Sequence, residues 1–229
     1  MKSAVFERQQ GNLDESLKML STAISKFPKF AKLYMIQGQI YQSQKAYPAA
    51  RGSFSAGIKA CPKEVTLWIL ASRLEEADGK SIKARALLEK ARQVNPNNDT
   101  LWAEAIGVEE RSGGAPQAKA MLARALQECP SSGLLWTMSI WAEPRPMRKT
   151  RATDALKKTK DSPVIICTVA RLMWADRKIE KARHWFGRAV ANEYADLGDT
   201  WGWWLKFEKQ HGTEVWFISL ILGLKPDCW

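Results

Sequence analysis

Histidine, cysteine and carboxylate side chains are the groups in this 229-residue sequence that could carry out catalysis or bind a metal. The two histidines, His184 and His211, are not placed with a Ser, Cys or carboxylate in a pattern that indicates a catalytic triad. No P-loop or glycine-rich phosphate-binding loop is present, and Gly113-Gly114 is predicted to lie at a helix end. The sequence therefore predicts that the protein is not an enzyme, with no catalytic residue, no cofactor and no small-molecule substrate.

The four cysteines do not follow the pattern of a metal site. They form no CxxC pair and have no histidine nearby in the sequence, whereas a zinc site needs four ligands at short spacing. We therefore predict no metal ligand and expect reduced thiols in a cytosolic or nuclear compartment. Cys61 and Cys129 each precede a proline at one repeat position, where we expect them to pack as small hydrophobic side chains.

The carboxylates recur with prolines and aromatic residues at a fixed period. Four prolines lie 34 residues apart, at Pro28, Pro62, Pro96 and Pro130. An aromatic residue follows each after six residues, at Tyr34, Trp68, Trp102 and Trp136. A carboxylate comes seven residues after the tryptophan at Glu75, Glu109, Glu143 and, after Trp201, at Glu208. A period of about 34 residues is typical of repeats made of helix pairs.

Glycine, alanine and a cation keep the same period and indicate how each unit folds. In one unit, Leu101, Ala105 and Val108 share a helical face, and Gly113 follows where a glycine can end the helix. The small residues that open the second helix are Ala50, Ala84, Ala118 and Ala152, and the cations after them include Arg51, Arg85 and Lys119. Proline then ends the second helix. Each unit is thus helix A, turn, helix B, turn, and units must stack because a lone pair cannot bury both faces.

The period predicts seven helix pairs, the last of them incomplete. Their predicted bounds are 1–10 and 13–26, 31–44 and 48–60, 65–78 and 81–93, 99–112 and 116–128, 133–143 and 148–158, 164–176 and 179–192, and 199–211 and 214–222. Three units depart from the pattern. Tyr41 replaces the glutamate of the second unit, Pro144-Arg145-Pro146 predicts a stiff extended connection in the fifth, and Ile166 and Met173 stand at the Trp and Glu positions of the sixth.

Both ends of the chain differ from the ends expected of a capped solenoid. The N-terminus begins inside a helix A, and residues 214–229 form an atypical apolar end, so we expect a fragment of a larger protein. The longest apolar run, 216–224, is much shorter than the roughly 20 residues that span a bilayer. No secretory signal is recognisable. We expect a soluble protein without membrane contact, folded as a single repeat domain over 1–229.

The motif of Trp, Glu, Gly, Ala-Arg and Pro resembles the HAT (half-a-TPR) repeat, a relative of the tetratricopeptide repeat. The chain resembles most the C-terminal HAT-repeat region of the pre-mRNA-processing factor 6 family. This resemblance depends on LQECPSSG at 126–133, RKT at 148–150, DALKK at 154–158 and KFEKQHGT at 206–213, and it extends to about Thr213. It implies an all-α fold, a right-handed α-α superhelix of about six and a half helix pairs.

The resemblance also implies a function. Members of that family are non-catalytic scaffolds that bridge particles of the spliceosomal tri-snRNP in the nucleus, so the implied partners are spliceosomal snRNP proteins. A HAT scaffold of another RNA-processing complex, acting in 3′-end processing or ribosome assembly, is the alternative. Direct RNA binding is a second alternative.

The recurring residues are interpreted as packing groups because catalytic groups do not repeat in unit after unit. The predicted packing set is Tyr34, Trp68, Glu75, Ala84, Arg85, Trp102, Glu109, Ala118, Trp136, Glu143, Trp201 and Glu208. Within a unit, Glu75 is expected to pair with Arg85, or Glu109 with Lys119. Such a partly buried pair would specify the register of two helices more than it would stabilise them.

Charge gives the strongest indication of a binding function. The chain has 35 basic and 24 acidic residues, a net charge of +11, and residues 145–160 alone carry +6. The cations of that segment are Arg145, Arg148, Lys149, Arg151, Lys157, Lys158 and Lys160. They predict either an ordinary solvated surface or contact with RNA phosphates or an acidic protein segment. No platform of aromatic and basic residues for single strands is expected, because the tryptophans are assigned to packing.

Overall fold

The computed structural model describes residues 2–191 and 198–212, and within these ranges the secondary structure is helical, without strands. The helices are α1 (Lys2–Gln9), α2 (Leu13–Lys26), α3 (Ala31–Ser43), α4 (Tyr47–Ala60), α5 (Val65–Ala77), α6 (Ser81–Val94), α7 (Asp99–Arg111), α8 (Ala115–Glu128), α9 (Gly133–Ala142), α10 (Arg148–Thr159), α11 (Pro163–Ala175), α12 (Ile179–Ala191) and α13 (Gly198–His211). The all-α repeat fold predicted from the sequence is confirmed. The helix predicted over 214–222 lies outside the described residues.

Prolines and glycines end the helices as their periodic spacing predicts. The residue before each of the four periodic prolines donates its N–H to the carbonyl oxygen four residues earlier, at 2.8 Å in every case. Its own backbone is no longer helical, because the following proline ring disfavours the helical conformation. Helix A ends instead at a residue with positive φ, which is Gly11, Gly79 or Gly113 in three units. Lys45 and Arg177 take the same left-handed conformation where the repeat lacks the glycine.

The chain divides into two compact units, Met1–Met121 and Leu122–Trp229. In the first unit, successive layers of the core form around Leu20, Phe54 and Leu88, all of them fully buried. In the second unit, Ile140 and Phe186 belong to the corresponding core layers. The organisation of residues 1–229 as a single solenoid domain stays a prediction.

Small residues allow the two helices of a pair to approach closely. Ala50 and Ala84, at the start of helix B in two units, are completely buried. In the pair α3 and α4, the ring of Phe54 lies directly on Gly38. A Cβ atom at Gly38 would be 2.3 Å from the Phe54 ring, and one at Gly57 would be 2.8 Å from the Tyr34 side chain. These glycines are required by packing, not by backbone conformation.

The connection between α9 and α10 is extended only over its first two residues. Glu143 has a ψ angle of 150°, as expected for a residue that precedes a proline, and Pro144 is also extended, with a ψ angle of 146°. Arg145–Met147 then forms a 3-10 turn that leads directly into α10. The prediction of a stiff extended connection is therefore right for the beginning of this segment and wrong for the rest.

Two further sequence-based expectations concern membranes and thiols. Among the described residues, no helix combines the length and the apolar character needed to cross a bilayer. Cys61, Cys129 and Cys167 are free thiols, and Cys61 donates its S–H to the carbonyl oxygen of Lys29 at 3.2 Å. Cys228 lies outside the described residues.

Substitution of Gly38 by alanine is expected to destabilise the chain. The new methyl group would overlap the Phe54 ring, and overpacking typically costs about 1–3 kcal/mol, more than the gain of about 1 kcal/mol in helix propensity. Gly52→Ala is the matched control, because Gly52 lies in α4 and a Cβ atom added there would meet no other atom within 4 Å. That control should gain about 0.5–1 kcal/mol. Urea unfolding of the full chain measures both, and an unchanged stability of Gly38→Ala would contradict the packing described.

Candidate functional site

The periodic aromatic residues connect the end of one helix pair to the start of the next. The side chains of Tyr34, Trp68 and Trp136 each donate a hydrogen bond to the carbonyl oxygen of the proline six residues before them. The observed bonds join Tyr34 Oη to Pro28 O at 3.0 Å, Trp68 Nε1 to Pro62 O at 2.9 Å, and Trp136 Nε1 to Pro130 O at 2.8 Å. These rings are buried, so the bond satisfies the one polar group that burial would otherwise leave without water. The proline lies at the end of one helix pair, and the aromatic residue that binds its carbonyl oxygen comes six residues later in the sequence, which explains the fixed spacing.

The periodic glutamates bind arginines of the preceding repeat. In the first unit of the chain, Arg85 of α6 donates to Glu109 of α7, with Nε–Oε1 and Nη2–Oε2 distances of 2.8 and 3.1 Å. Arg51 of α4 forms the equivalent bidentate pair with Glu75 of α5. The pairs predicted within a unit, Glu75 with Arg85 and Glu109 with Lys119, are wrong. Helix A of one repeat faces helix B of the repeat before it, and this places the arginine 24 residues before its glutamate.

The second unit of the chain contains the same kind of pair. Arg183 of α12 donates to Glu208 of α13, with Nε–Oε1 and Nη2–Oε2 distances of 2.9 and 3.2 Å. Glu208 is only 1% exposed, and Trp204 Nε1 donates to the same carboxylate at 3.2 Å. The hydrogen bonds to Glu208 raise the pKa of Arg183, so this guanidinium stays charged at any physiological pH. Glu75 and Glu109 are buried as well, at 4% and 9% exposure.

The remaining members of the predicted packing set occupy more varied places. Ala118 is buried in α8, and Trp102 is buried beneath the guanidinium of Arg92, which lies 3.9 Å from the ring centroid. Glu143 is half-buried at the end of α9, where its backbone carbonyl accepts a hydrogen bond from Arg148. Trp201 is also half-buried and stacks on Trp204, with ring centroids 5.6 Å apart. The assignment of the whole set to repeat packing stays a proposal.

Four of the seven cations in the basic segment 145–160 have contacts inside the protein. Arg145 and Lys149 both bind Asp176, at 3.2 and 2.6 Å, and these bonds hold the pKa of the Asp176 carboxyl below its usual range. Arg148 donates to the carbonyl oxygens of Glu143 and Trp141. Arg151 donates to Ser139 Oγ at 2.8 Å and lies over the ring of Trp136.

The other three cations of the segment are exposed lysines at the end of α10. Lys157 and Lys158 lie in the last turn of that helix, and Lys160 follows in a left-handed conformation. None of the three forms an ion pair with the part of the chain that the structure describes. The segment therefore offers three free charges to a partner where the sequence suggested seven.

Sequence reasoning missed a row of alternating cations and indole rings on the A helices of the second unit. The Arg171 guanidinium lies 3.7 Å from the centroid of the Trp203 ring and 5.1 Å from that of Trp141. Arg148 covers Trp141 at 5.1 Å, and Lys206 covers Trp203 at 5.0 Å. Partial burial lowers the pKa of Arg171. The signal was present, since Trp141 and Arg171 each lie five residues after the Trp position of their repeats.

In the first unit, the A helices are joined by ion pairs instead of rings. Arg73 of α5 forms a bidentate pair with Glu104 of α7, at 2.9 and 2.7 Å. Arg111 of α7 donates in the opposite direction, to Glu76 of α5. The bond to Arg73 holds the pKa of the Glu104 carboxyl below its usual range. These two arginines and two glutamates therefore neutralise one another.

The described residues do not bring metal-binding or nucleophilic groups together. No group of three or more His, Cys, Asp or Glu side chains in 2–191 and 198–212 could hold a metal ion. Burial raises the pKa of the Cys167 thiol to about 11, which keeps that thiol protonated and unreactive at neutral pH. His211 accepts a hydrogen bond from Trp174 Nε1 at 2.8 Å.

Comparison with known proteins supports the resemblance stated from the sequence. The chain is 53% identical over 70 residues to "Pre-mRNA-processing factor 6" of Homo sapiens. It is 51% identical over 71 residues to "Protein STABILIZED1" of Arabidopsis thaliana, and 46% identical over 67 residues to "Pre-mRNA-splicing factor prp1" of Schizosaccharomyces pombe. These segments cover 31%, 31% and 29% of this chain, and each spans only 7% of the relative's length.

The repeat itself is recognised by family and by structure. A tetratricopeptide repeat family model matches residues 7–65. A solved tetratricopeptide repeat protein from Parabacteroides merdae superposes with a TM-score of 0.50 at 13% identity, covering 86% of this chain and 79% of its own. The fold is therefore of the α-α superhelical repeat class. The resemblance to pre-mRNA-processing factor 6 is confirmed, over a segment shorter than the stretch to Thr213 that the motifs suggested.

Two carboxylates that bind the same arginine provide a matched test of the buried pair. Glu208→Gln removes the charge that neutralises Arg183 in a dry environment, and the expected loss is about 2–4 kcal/mol of unfolding free energy. Glu180→Gln removes the other partner of Arg183, but that side chain is 85% exposed and the loss should stay below about 0.5 kcal/mol. Chemical denaturation of the two variants measures the difference. Equal losses of unfolding free energy would show that burial of Glu208 does not strengthen its contribution to stability.

Proposed function

We propose that this chain is part of a non-catalytic scaffold of the pre-mRNA splicing machinery, with repeats that hold protein segments and bridge particles of the spliceosomal tri-snRNP. The observation that carries the proposal is the 46–53% identity to proteins named as pre-mRNA-processing and pre-mRNA-splicing factors. The nucleus is the compartment in which such a scaffold would act. The matched segments span only 7% of the length of those relatives. We therefore propose the partners of the whole protein together with its function.

The geometry supports a scaffold more than an enzyme. The recurring polar groups, such as Glu109 and Arg85, bind each other at successive repeat interfaces. Their arrangement produces a stack whose surface side chains vary from repeat to repeat. Such a stack recognises protein segments through many dispersed contacts, which is the requirement for a particle-bridging protein.

Direct RNA binding is a second candidate function. It is favoured by the three exposed lysines at the end of α10, Lys157, Lys158 and Lys160, which have no acidic partner among the described residues. Phosphate groups would bind there without sequence preference, and the affinity would fall steeply with salt. Arg151 is not part of this surface, because its guanidinium is bound to Ser139 and covers Trp136.

Affinity purification from nuclear extract tests the leading proposal. The full chain is used as bait, with an unrelated tetratricopeptide repeat protein as the control bait, and the captured proteins are identified by mass spectrometry. We expect enrichment of tri-snRNP proteins that survives ribonuclease treatment. Enrichment of 3′-end-processing or ribosome-assembly factors alone would contradict the proposal and support the other RNA-processing scaffold.

The same extract distinguishes protein-mediated from RNA-mediated capture. The charge reversal of Lys157, Lys158 and Lys160 to Glu should leave capture of tri-snRNP proteins unchanged. The control reverses Lys26, Lys29 and Lys32, which are equally exposed and change the net charge by the same amount. Loss of bound RNA in the first variant and not in the control would support direct RNA binding; equal retention in both would contradict it.

A further inference from the structure

An open groove lies on the B-helix side of the first unit. It has a volume of about 420 Å³, and it runs between α4 and α6, the B helices of two successive repeats. Ile58 of α4 and Leu87 of α6 are half-buried and form its apolar floor, and they pack over Trp68 of α5, which is buried. Ser55 and Ala86, which also line the groove, are small and exposed. The groove can therefore receive an apolar side chain from outside.

The corresponding position of the next repeat is closed by an arginine. Arg92 of α6 lies 34 residues after Ile58 of α4, and its guanidinium covers the Trp102 ring at 3.9 Å. Over Trp68, the equivalent of Trp102, the side chain at this position is Ile58, which is shorter and packs against the Trp68 cluster. Both rings are 2% exposed, so the two repeats differ in whether the residue that covers the ring is apolar or charged.

The rim of the groove is positively charged. Lys59 on α4 and Lys83 and Lys90 on α6 line it, and all three side chains are exposed without an ion pair among the residues described. Arg51 lines it too, but its guanidinium is bound by Glu75 and Asp78, and the bonds to Glu75 raise the pKa of Arg51. The charge available to an incoming ligand is therefore that of three lysines around an apolar floor.

The dimensions suit a short extended segment. Lys83 and Lys90 are seven residues apart on one helix, and at a rise of about 1.5 Å per residue they are separated by about 10 Å along the groove. An extended chain covers this distance in about three residues. One apolar side chain on the floor, with acidic residues on both sides, would match both the shape and the charge of this surface.

We propose that the groove between α4 and α6 binds an acidic protein segment that places one apolar side chain on Ile58 and Leu87, above the buried Trp68. The inference uses the proposed scaffold function, namely that the repeats hold partner segments, and adds the surface and the chemistry of the segment held. Lysines on the rim attract and orient the acidic residues, and the apolar floor supplies the contact that distinguishes this segment from any other anion.

The test measures binding of a fluorescently labelled synthetic peptide to the full chain by anisotropy. The peptide has a central Leu with Glu residues on both sides, and a comparison peptide has Ser in place of Leu. We expect the Leu peptide to bind at least about tenfold more tightly than the Ser peptide, since burial of a leucine contributes about 1.5–3 kcal/mol. Equal affinity for both peptides, or no binding of the Leu peptide, would overturn the proposal.

Two variants separate the groove from simple attraction between charges. Ile58→Arg copies the residue that covers Trp102 and should weaken binding about tenfold although it adds a positive charge. Lys83→Glu with Lys90→Glu should weaken binding by a similar factor, whereas the control Lys26→Glu with Lys32→Glu, elsewhere in the first unit, should stay within about twofold. Unchanged or tighter binding by Ile58→Arg would overturn the proposal.

Peptide binding tests the groove, and capture of splicing proteins tests the scaffold function. The two lysines are exposed, so their reversal leaves the fold intact even if Ile58→Arg should lower the melting temperature. The same variants are used as baits in nuclear extract. Loss of peptide binding together with unchanged capture of splicing proteins would leave the scaffold function standing, and peptide binding by a chain that captures none of them would leave the groove standing.

Discussion

Each buried glutamate at a repeat interface loses its hydration when the helix pairs stack, and an arginine from the preceding repeat replaces the lost water. Glu109 and Glu208 can be buried only because Arg85 and Arg183 reach them with two hydrogen bonds each. A buried carboxylate without such a partner would cost several kcal/mol, so a stack shifted by one helical turn is strongly disfavoured. The pair therefore contributes to the register of the stack, and the hydrophobic contacts of the alanines and aromatic rings supply most of its stability.

This constraint leaves function to the positions that differ between repeats. Trp68 and Trp136 donate hydrogen bonds to Pro62 and Pro130, and Glu75 accepts one from Arg51 of the repeat before. Positions 58 and 92 show the consequence, since an apolar isoleucine packs over Trp68 and a charged arginine covers Trp102. On the A helices, the first unit carries ion pairs such as Arg73–Glu104, and the second carries Arg171 between two indole rings. A uniform fold thus presents different chemistry from one repeat to the next.

The helices and their ends could be predicted from the sequence because they depend on local rules. Proline and glycine act within one turn of their own position, and Gly79 and Gly113 end helices as expected. The partner of Glu75 could not be predicted in the same way, since Arg85 is closer in sequence and only the stacking of helices places Arg51 beside it. The number of cations in segment 145–160 that are available to a partner was overestimated for a related reason. The 3-10 turn after Pro144 directs Arg145 and Lys149 to Asp176 of another helix, a contact that no local pattern encodes.

A double-mutant cycle at Arg85 and Glu109 tests most directly whether these pairs couple neighbouring repeats. The unfolding free energies of the full chain, Arg85→Met, Glu109→Gln and the double variant are measured by urea denaturation. If the buried pair connects the two repeats, each single variant leaves an unmatched partner and the double variant recovers part of the loss, with a coupling energy of about 1–3 kcal/mol. Losses that add to within about 0.5 kcal/mol would contradict the account, because the two side chains would then contribute independently of each other.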